Sequence, residues 1–85
     1  MDKTEIIAKL KDIFQMVMGE NAVDPSSCSE DTSLTEDLGL NSVGILYLVI
    51  AIEESFNIRF DNVGASDLKT LGQVVEYIQS KKDSN

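Results

Sequence analysis

The chain has 85 residues, enough for one compact domain and too few for two, and 42% of them are hydrophobic, as in globular rather than disordered proteins. Its net charge of −8 argues against nucleic acids and anionic membranes as partners, because both attract basic surfaces. The chain has no His, the commonest general base and metal ligand, and its single Cys cannot form an internal disulfide. We therefore expect a cytoplasmic protein that meets basic surfaces of partner proteins and is not an enzyme. We also expect it to be a monomer.

Residues 4–18 are predicted to form the first helix. Apolar residues recur there at helical spacing, while charged residues occupy other positions: Ile6, Leu10, Ile13, Phe14 and Val17. Thr4 is the predicted N-cap of this helix and Gly19 the predicted C-cap.

Residues 19–41 show no sustained period and contain the only proline. A connection of this length is uncommon in a small domain, so we expect a packed, functional loop. Three leucines, Leu34, Leu38 and Leu40, are expected to hold it against the core. The spacing of Ser33 and Glu36 is that of a capping box and predicts a short helical turn over residues 33–37.

Residues 42–56 carry the strongest helical pattern, with Ser42 as the predicted N-cap and Asn57 at the end. The predicted buried stripe contains Leu48, Val49, Ile52 and Phe56. A strand is the competing interpretation of the run LYLVIAI, but period-two alternation is absent. Four apolar residues lie off the stripe and either pack against the loop or form a contact surface for partners: Val43, Leu46, Tyr47 and Ile50.

Residues 61–67 are predicted to hold a short helical turn with Val63 and Ala65 as contacts. Thr70 is expected to cap a last helix, which ends in Lys81 and Lys82 before a frayed tail and buries the face formed by Leu71, Val74, Val75 and Ile78. The predicted fold is all-α. It is a small bundle of three main helices plus a short third helix, with a long loop between helices 1 and 2, formed by a single domain over residues 1–85 with its core at about 4–80.

The negative charge is concentrated in the loop and in the helix that follows it. Residues 19–41 contain no Lys or Arg and six acidic residues: Glu20, Asp24, Glu30, Asp31, Glu36 and Asp37. Glu53 and Glu54 add to this charge, whereas the two ends of the chain are balanced. The pattern indicates either a solvated acidic loop or an electrostatic docking surface around Ser42.

The segment DTSLTEDLGLNSVGILYLVIAIEESF, residues 31–56, resembles the acyl carrier protein family. That family's pattern reads approximately S-L-x-E-D-L-G-x-D-S-L around a modified serine, followed by an apolar helix that ends in A-x-E-E-x-F. The matching residues are Ser33, Leu34, Glu36, Asp37, Leu38, Gly39, Ser42, Ala51, Glu53, Glu54 and Phe56. The resemblance continues through Thr70-Leu71-Gly72 and covers about residues 4–80.

The resemblance implies that 4′-phosphopantetheine is attached to Ser42, next to Asn41 and Gly39, and that its thiol carries acyl groups for fatty-acid, lipid or polyketide biosynthesis. A phosphate there meets the free N–H groups of a helix N-terminus, and Gly39 permits a tight turn. Implied partners are a phosphopantetheinyl transferase and acyl-transferring or synthase enzymes. The surface expected to contact them comprises Glu36, Asp37, Val43, Leu46, Tyr47, Ile50, Glu53 and Glu54.

The chain also departs from the family pattern. Asn41 replaces the usual Asp before the serine, and Val43 replaces the Leu after it. Gly44 and Tyr47 stand where carriers of fatty-acid synthesis have acidic residues, and the normally acidic short third helix contains Val63, Gly64 and Ser66. These departures indicate a specialised carrier.

Three other functions remain open at this point. An aminoacyl or peptidyl carrier shares the fold and the serine. An unmodified carrier-fold protein-interaction module is favoured by Asn41 and by the apolar residues of the second helix, but Ser42 argues against it. The third is an acidic regulatory helical domain that matches the pattern by chance, which the length of the motif makes remote.

Overall fold

A computed structural model describes residues 2–60 and 68–83, so the turn predicted at 61–67 lies outside the described residues. The chain forms helix α1 (Lys3–Met18), two 3₁₀ turns (Gly19–Asn21 and Pro25–Ser27), helix α2 (Ser42–Phe56) and helix α3 (Leu71–Asp83). Helix α1 packs against both α2 and α3. The all-α fold with its long loop is confirmed, whereas the 3₁₀ turns were not predicted. No helix in the described part of the chain is long and apolar enough to cross a membrane.

One face of each helix builds the core together with four buried residues that lie outside the helices: Leu34, Leu40, Ile58 and Leu68. In α2 the buried face contains Ile45, which the predicted stripe omitted, together with Leu48, Ile52 and Phe56. Val17 and Val49, which were predicted to lie in buried stripes, are only partly buried against this core. The other buried apolar side chains of the helices agree with the prediction: Ile6, Leu10, Ile13 and Phe14 of α1, and Leu71, Val74, Val75 and Ile78 of α3.

The predicted N-caps of the first two helices are wrong. The N-cap of α1 is Asp2, whose Oδ1 accepts a hydrogen bond from the Glu5 N–H at 2.9 Å, and Thr4 already lies inside the helix. The N-cap of α2 is Asn41, so Ser42 is the first helical residue. In both cases the true cap lies before the predicted one: Asp2 in α1 and Asn41 in α2. Each has an extended backbone, and its side chain accepts a hydrogen bond from an N–H group of the first turn.

The other predicted helix ends are confirmed. Helices α1 and α2 end at Gly19 and Asn57, which have φ values of 61° and 56°. Thr70 caps α3 through Oγ1, which accepts a hydrogen bond from the Gln73 N–H at 3.3 Å. Gln73 Oε1 accepts one from the Thr70 N–H at 3.1 Å, which completes a capping box.

Lysines from both neighbouring helices donate hydrogen bonds to the C-terminal carbonyls of α2. Lys9 of α1 donates to the Ser55 carbonyl at 3.3 Å, and Lys82 of α3 donates to the Phe56 carbonyl at 3.0 Å. Lys81 and Lys82 lie in the last turn of α3, as predicted. The helix extends through Asp83, the first residue of the tail that was predicted to fray, and residues 84–85 lie outside the described residues.

Backbone hydrogen bonds tie the long loop to the start of α3. The N–H groups of Leu71 and Gly72, the first two residues of α3, donate to the carbonyls of Thr32 and Glu30, each at 3.0 Å. The first N–H groups of a helix have no partner within it, so the loop supplies the acceptors that α3 lacks. A Cβ at residue 72 would lie 2.9 Å from the Glu30 carbonyl oxygen, so this close approach requires glycine.

The loop reaches the core at Leu34, whose side chain has no exposed surface. Its N–H donates to the Lys69 carbonyl at 2.9 Å, and its own carbonyl accepts from the Leu40 N–H at 3.0 Å. Leu40 is buried and Leu38 partly buried, so these three leucines hold the loop as predicted.

The short helical turn predicted at residues 33–37 forms only in part. Ser33 Oγ accepts a hydrogen bond from the Glu36 N–H at 3.0 Å, as a capping box requires. The Ser33 N–H, however, donates its hydrogen bond to Asp37 Oδ2 at 2.7 Å and not to the Glu36 side chain. Residues 34–38 therefore form a hydrogen-bonded turn that does not become a helix.

Replacing Leu34 with Ala should lower the free energy of unfolding by about 2–5 kcal/mol, because it leaves a cavity where the loop meets the core. Leu46→Ala removes the same atoms from a side chain that is 55% exposed, and its effect should stay within about 0.5 kcal/mol. Urea unfolding of both variants measures the difference. Equal losses would contradict an anchoring role for Leu34.

Candidate functional site

Ser42 is exposed at the first position of α2. Because Asn41 caps the helix, the serine hydroxyl is not used for capping. Ser42 Oγ makes no hydrogen bond with any described residue. The hydroxyl is therefore accessible and unengaged, as a serine that is modified by another protein requires.

The N-terminus of α2 is only partly capped. Asn41 Oδ1 accepts a hydrogen bond from the Gly44 N–H at 2.8 Å, and the Asn41 carbonyl accepts from the Ile45 N–H at 2.9 Å. The N–H groups of Ser42 and Val43 have no acceptor among the described residues. Two free donors and the positive end of the helix dipole therefore lie beside the serine hydroxyl, an arrangement that favours a phosphate group.

The three residues before Ser42 determine its position, each by a different constraint. Gly39 has a φ of 73°, and a Cβ there would have no neighbour within 4 Å, so the backbone conformation and not crowding requires the glycine. Leu40 is then buried, and Asn41 forms the cap. The positive φ of Gly39 agrees with the conformational freedom that was expected of this glycine, and the assigned turn covers the residues just before it, 34–38.

Ser42 opens onto a cleft of about 460 Å³ between the loop and the start of α3. Ile45 and Leu68 contribute apolar surface to it. The remaining lining is polar and was not predicted from the sequence: Ser33, Thr35, Glu36, Lys69 and Thr70. These residues lie far apart in the sequence, and the pairing of the loop with the start of α3 brings them together.

Residues 8–78 match the family described as the phosphopantetheine attachment site. The acyl carrier protein of Wolinella succinogenes is 37% identical over 76 residues, which span 89% of this chain and 100% of that protein. Those of Thermotoga maritima and Guillardia theta are 33% and 36% identical, over 93% and 95% of this chain and 94% and 96% of their own lengths. The chain belongs to the acyl carrier protein family. The resemblance and the family's cofactor, 4′-phosphopantetheine, are thereby confirmed.

The N-terminus of α2 fits this cofactor. An exposed hydroxyl is available for a covalent bond, and the N–H groups of Ser42 and Val43 can face the negative charge of the phosphate. The cleft beside Ser42 offers both hydroxyl groups and apolar surface to a flexible arm. Asn41, which departs from the family's Asp, supplies a cap through its amide oxygen.

Several carboxylates of the carrier's acidic loop are engaged within the chain. Glu30 pairs with Lys3 at 3.4 Å, and Asp24 with Lys11 at 3.7 Å. Hydrogen bonds from Ser26, together with the Lys11 charge, hold the pKa of Asp24 below its ordinary value. The loop therefore presents less uncompensated negative charge than its sequence indicates.

Of the acidic residues predicted to contact partners, some are also engaged within the chain and others are not. Asp37 and Glu53 are engaged, because Asp37 Oδ2 accepts a hydrogen bond from the Ser33 N–H and Glu53 Oε2 accepts one from the Phe60 N–H at 2.9 Å. The carboxylates of Glu36 and Glu54 are exposed and accept no hydrogen bond from any described residue. Only these two of the four predicted carboxylates are unengaged in the described structure.

The four apolar residues of α2 that lie off the buried stripe are exposed. Val43, Leu46, Tyr47 and Ile50 have 59%, 55%, 62% and 45% of their surface accessible, so the interpretation that they pack against the loop is wrong. Their spacing at i, i+3, i+4 and i+7 places them on one side of the helix. They form an apolar face, named here the α2 face, that begins beside Ser42.

Asn41→Ala should lower the free energy of unfolding by about 1 kcal/mol, because the Gly44 N–H loses its acceptor. Asn41→Asp keeps the acceptor and adds a negative charge at the helix N-terminus, so its stability should equal or slightly exceed that of the wild type. Urea unfolding at low salt measures both. If Asp proved as destabilising as Ala, the amide group would matter for more than capping.

Proposed function

We propose that this chain is an acyl carrier protein that holds acyl groups on 4′-phosphopantetheine attached to Ser42, for fatty-acid, lipid or polyketide type biosynthesis. The exposed, unbonded hydroxyl of Ser42 at the N-terminus of α2 carries the proposal. Its position in a chain that belongs to a phosphopantetheine-attachment family supports it. The terminal thiol of the bound group carries acyl groups as thioesters.

In the attachment reaction, Ser42 Oγ forms a bond to the phosphorus that bears the pantetheine arm of coenzyme A. The pyrophosphate bond of coenzyme A breaks, and adenosine 3′,5′-bisphosphate leaves. The proton of the hydroxyl passes to a base supplied by the transferase, because Ser42 Oγ has no hydrogen-bonded base among the described residues. In this proposal the chain is the substrate and carrier, and its partners are the enzymes.

The residues of the chain fix and surround the attachment point. Asn41 holds the first turn of α2, and the N–H groups of Ser42 and Val43 offset the negative charge of the phosphate. Gly39 and Leu40 fix the approach of the chain, and the cleft lined by Ile45 and the hydroxyl side chains lies where the arm begins.

The proposed partners are a phosphopantetheinyl transferase and acyl-transferring or synthase enzymes, which dock on the α2 face. Burial of its four side chains drives this contact, while Glu36 and Glu54 add limited charge attraction. A monomeric state and a cytoplasmic location stay predictions. An unmodified interaction module is the second candidate, because the α2 face alone would serve it.

The first test is the intact mass of the protein before and after incubation with coenzyme A and a broad-specificity phosphopantetheinyl transferase. Wild type should gain one phosphopantetheinyl group, and Ser42→Ala should gain none. Ser55→Ala, which removes a hydroxyl from the far end of the same helix, should be modified like wild type. If folded wild type gained no mass with several transferases, the unmodified module would become the preferred function.

Docking on the α2 face predicts weak salt dependence. Leu46→Ala should raise the KM of the transferase for the carrier by on the order of tenfold, since a buried leucine side chain contributes about 1.5–3 kcal/mol and part of that is lost. Raising the salt concentration should change KM less than this, because apolar burial is not screened. A steep rise of KM with salt and no effect of Leu46→Ala would instead indicate docking through charge.

A further inference from the structure

A second groove, of about 350 Å³, lies between the C-terminal end of α1 and the N-terminal end of α2. Its apolar lining is contributed by Val17, Met18, Leu38, Leu40 and Tyr47, and none of the described residues that line it is charged. Tyr47 also belongs to the α2 face, so the groove continues that exposed surface.

Gly44 lines this groove next to Leu40. Its φ does not lie in the left-handed region, so the backbone conformation does not require glycine, and glycine weakens a helix. A Cβ at this position would lie 3.1 Å from Leu40 Cδ2 and 3.7 Å from Leu40 Cβ. The shorter of these contacts is too tight for Leu40 to keep its place, so a side chain at residue 44 would displace Leu40, which also lines the groove, and change the shape of the groove.

We propose that this groove receives an apolar side chain of the phosphopantetheinyl transferase, and that Gly44, which has no side chain, admits it. The inference rests on the proposed function. The groove is uncharged in a chain of net charge −8, so a basic side chain of the enzyme would find no carboxylate there, whereas an apolar one would lose its exposed surface.

The position of the groove suits an anchor for the reaction. Leu40 and Gly44 each lie two residues from Ser42, on either side of it in the sequence. Gly44 follows Ser42 by two residues within α2, so the two positions point about 200° apart, and the side of the groove that Gly44 lines lies across the helix end from the hydroxyl of Ser42. A side chain seated there fixes the enzyme within one helical turn of its target without covering the hydroxyl.

Methionine methyl groups provide a direct test. The full chain with Ser42→Ala, labelled with ¹³C in its methionine methyls, is titrated with the transferase and coenzyme A. Met18 lines the groove, whereas Met16 is 71% exposed and lies outside it. The Met18 signal should shift and saturate while the Met16 signal stays unchanged. An unshifted Met18 signal, with a transferase that modifies the wild type, would overturn the proposal.

The matching variant is Gly44→Ala, made with Ser42 intact and checked for its fold by circular dichroism. It should raise the KM for the carrier by on the order of tenfold with little change in kcat, and it should abolish the Met18 shift in the Ser42→Ala background. Asn41→Ala removes the cap but leaves the groove, so it should not reproduce the loss of the Met18 shift. An unchanged KM in Gly44→Ala would contradict the groove, whereas absence of modification in the wild type would contradict the proposed function itself.

Discussion

The unpaired N–H groups at the start of α3 are the constraint on which the site depends. The first N–H groups of a helix have no acceptor within the helix, and here the carbonyls of Glu30 and Thr32 accept their hydrogen bonds. This pairing gives the long loop a fixed path and brings Leu34 into the core. From Leu34 to the N-cap Asn41 the chain is held by hydrogen bonds within the loop, such as that from the Leu40 N–H to the Leu34 carbonyl. The position of Ser42 therefore depends on α3, which begins about thirty residues further along the chain.

The two helix N-termini on either side of the cleft are completed in different ways. At α3 the loop carbonyls and the Thr70–Gln73 capping box occupy the first donors. At α2 a single side chain, Asn41, forms the cap, and the donors of Ser42 and Val43 stay open. The first arrangement stabilises the fold, and the second leaves donors that can hold an anion, so the two helix ends beside the cleft differ in their capacity to bind a phosphate.

The sequence predicted the three helices and most of the core because helical periodicity is local. It also predicted the family, because the pattern around Ser42 is long. It was wrong about Thr4 and Ser42 as caps, because several neighbouring residues can cap a helix and only the backbone path selects one. It left open whether Leu46 and Ile50 are covered, because periodicity identifies the buried stripe but not what lies over the rest of the helix. The hydroxyls of the cleft were missed because they meet only through long-range pairing.

Helix α2 is hydrogen-bonded to both other helices at one end only. Lys9 and Lys82 hold its C-terminal carbonyls, whereas no described residue of α1 or α3 is hydrogen-bonded to its first turn. The helix has 15 residues, so Ser42 lies about 21 Å from this attachment. The hydrogen bonds between the helices and the serine therefore lie at opposite ends of α2, and the serine end is held instead by the loop and by the packing of Ile45 in the core.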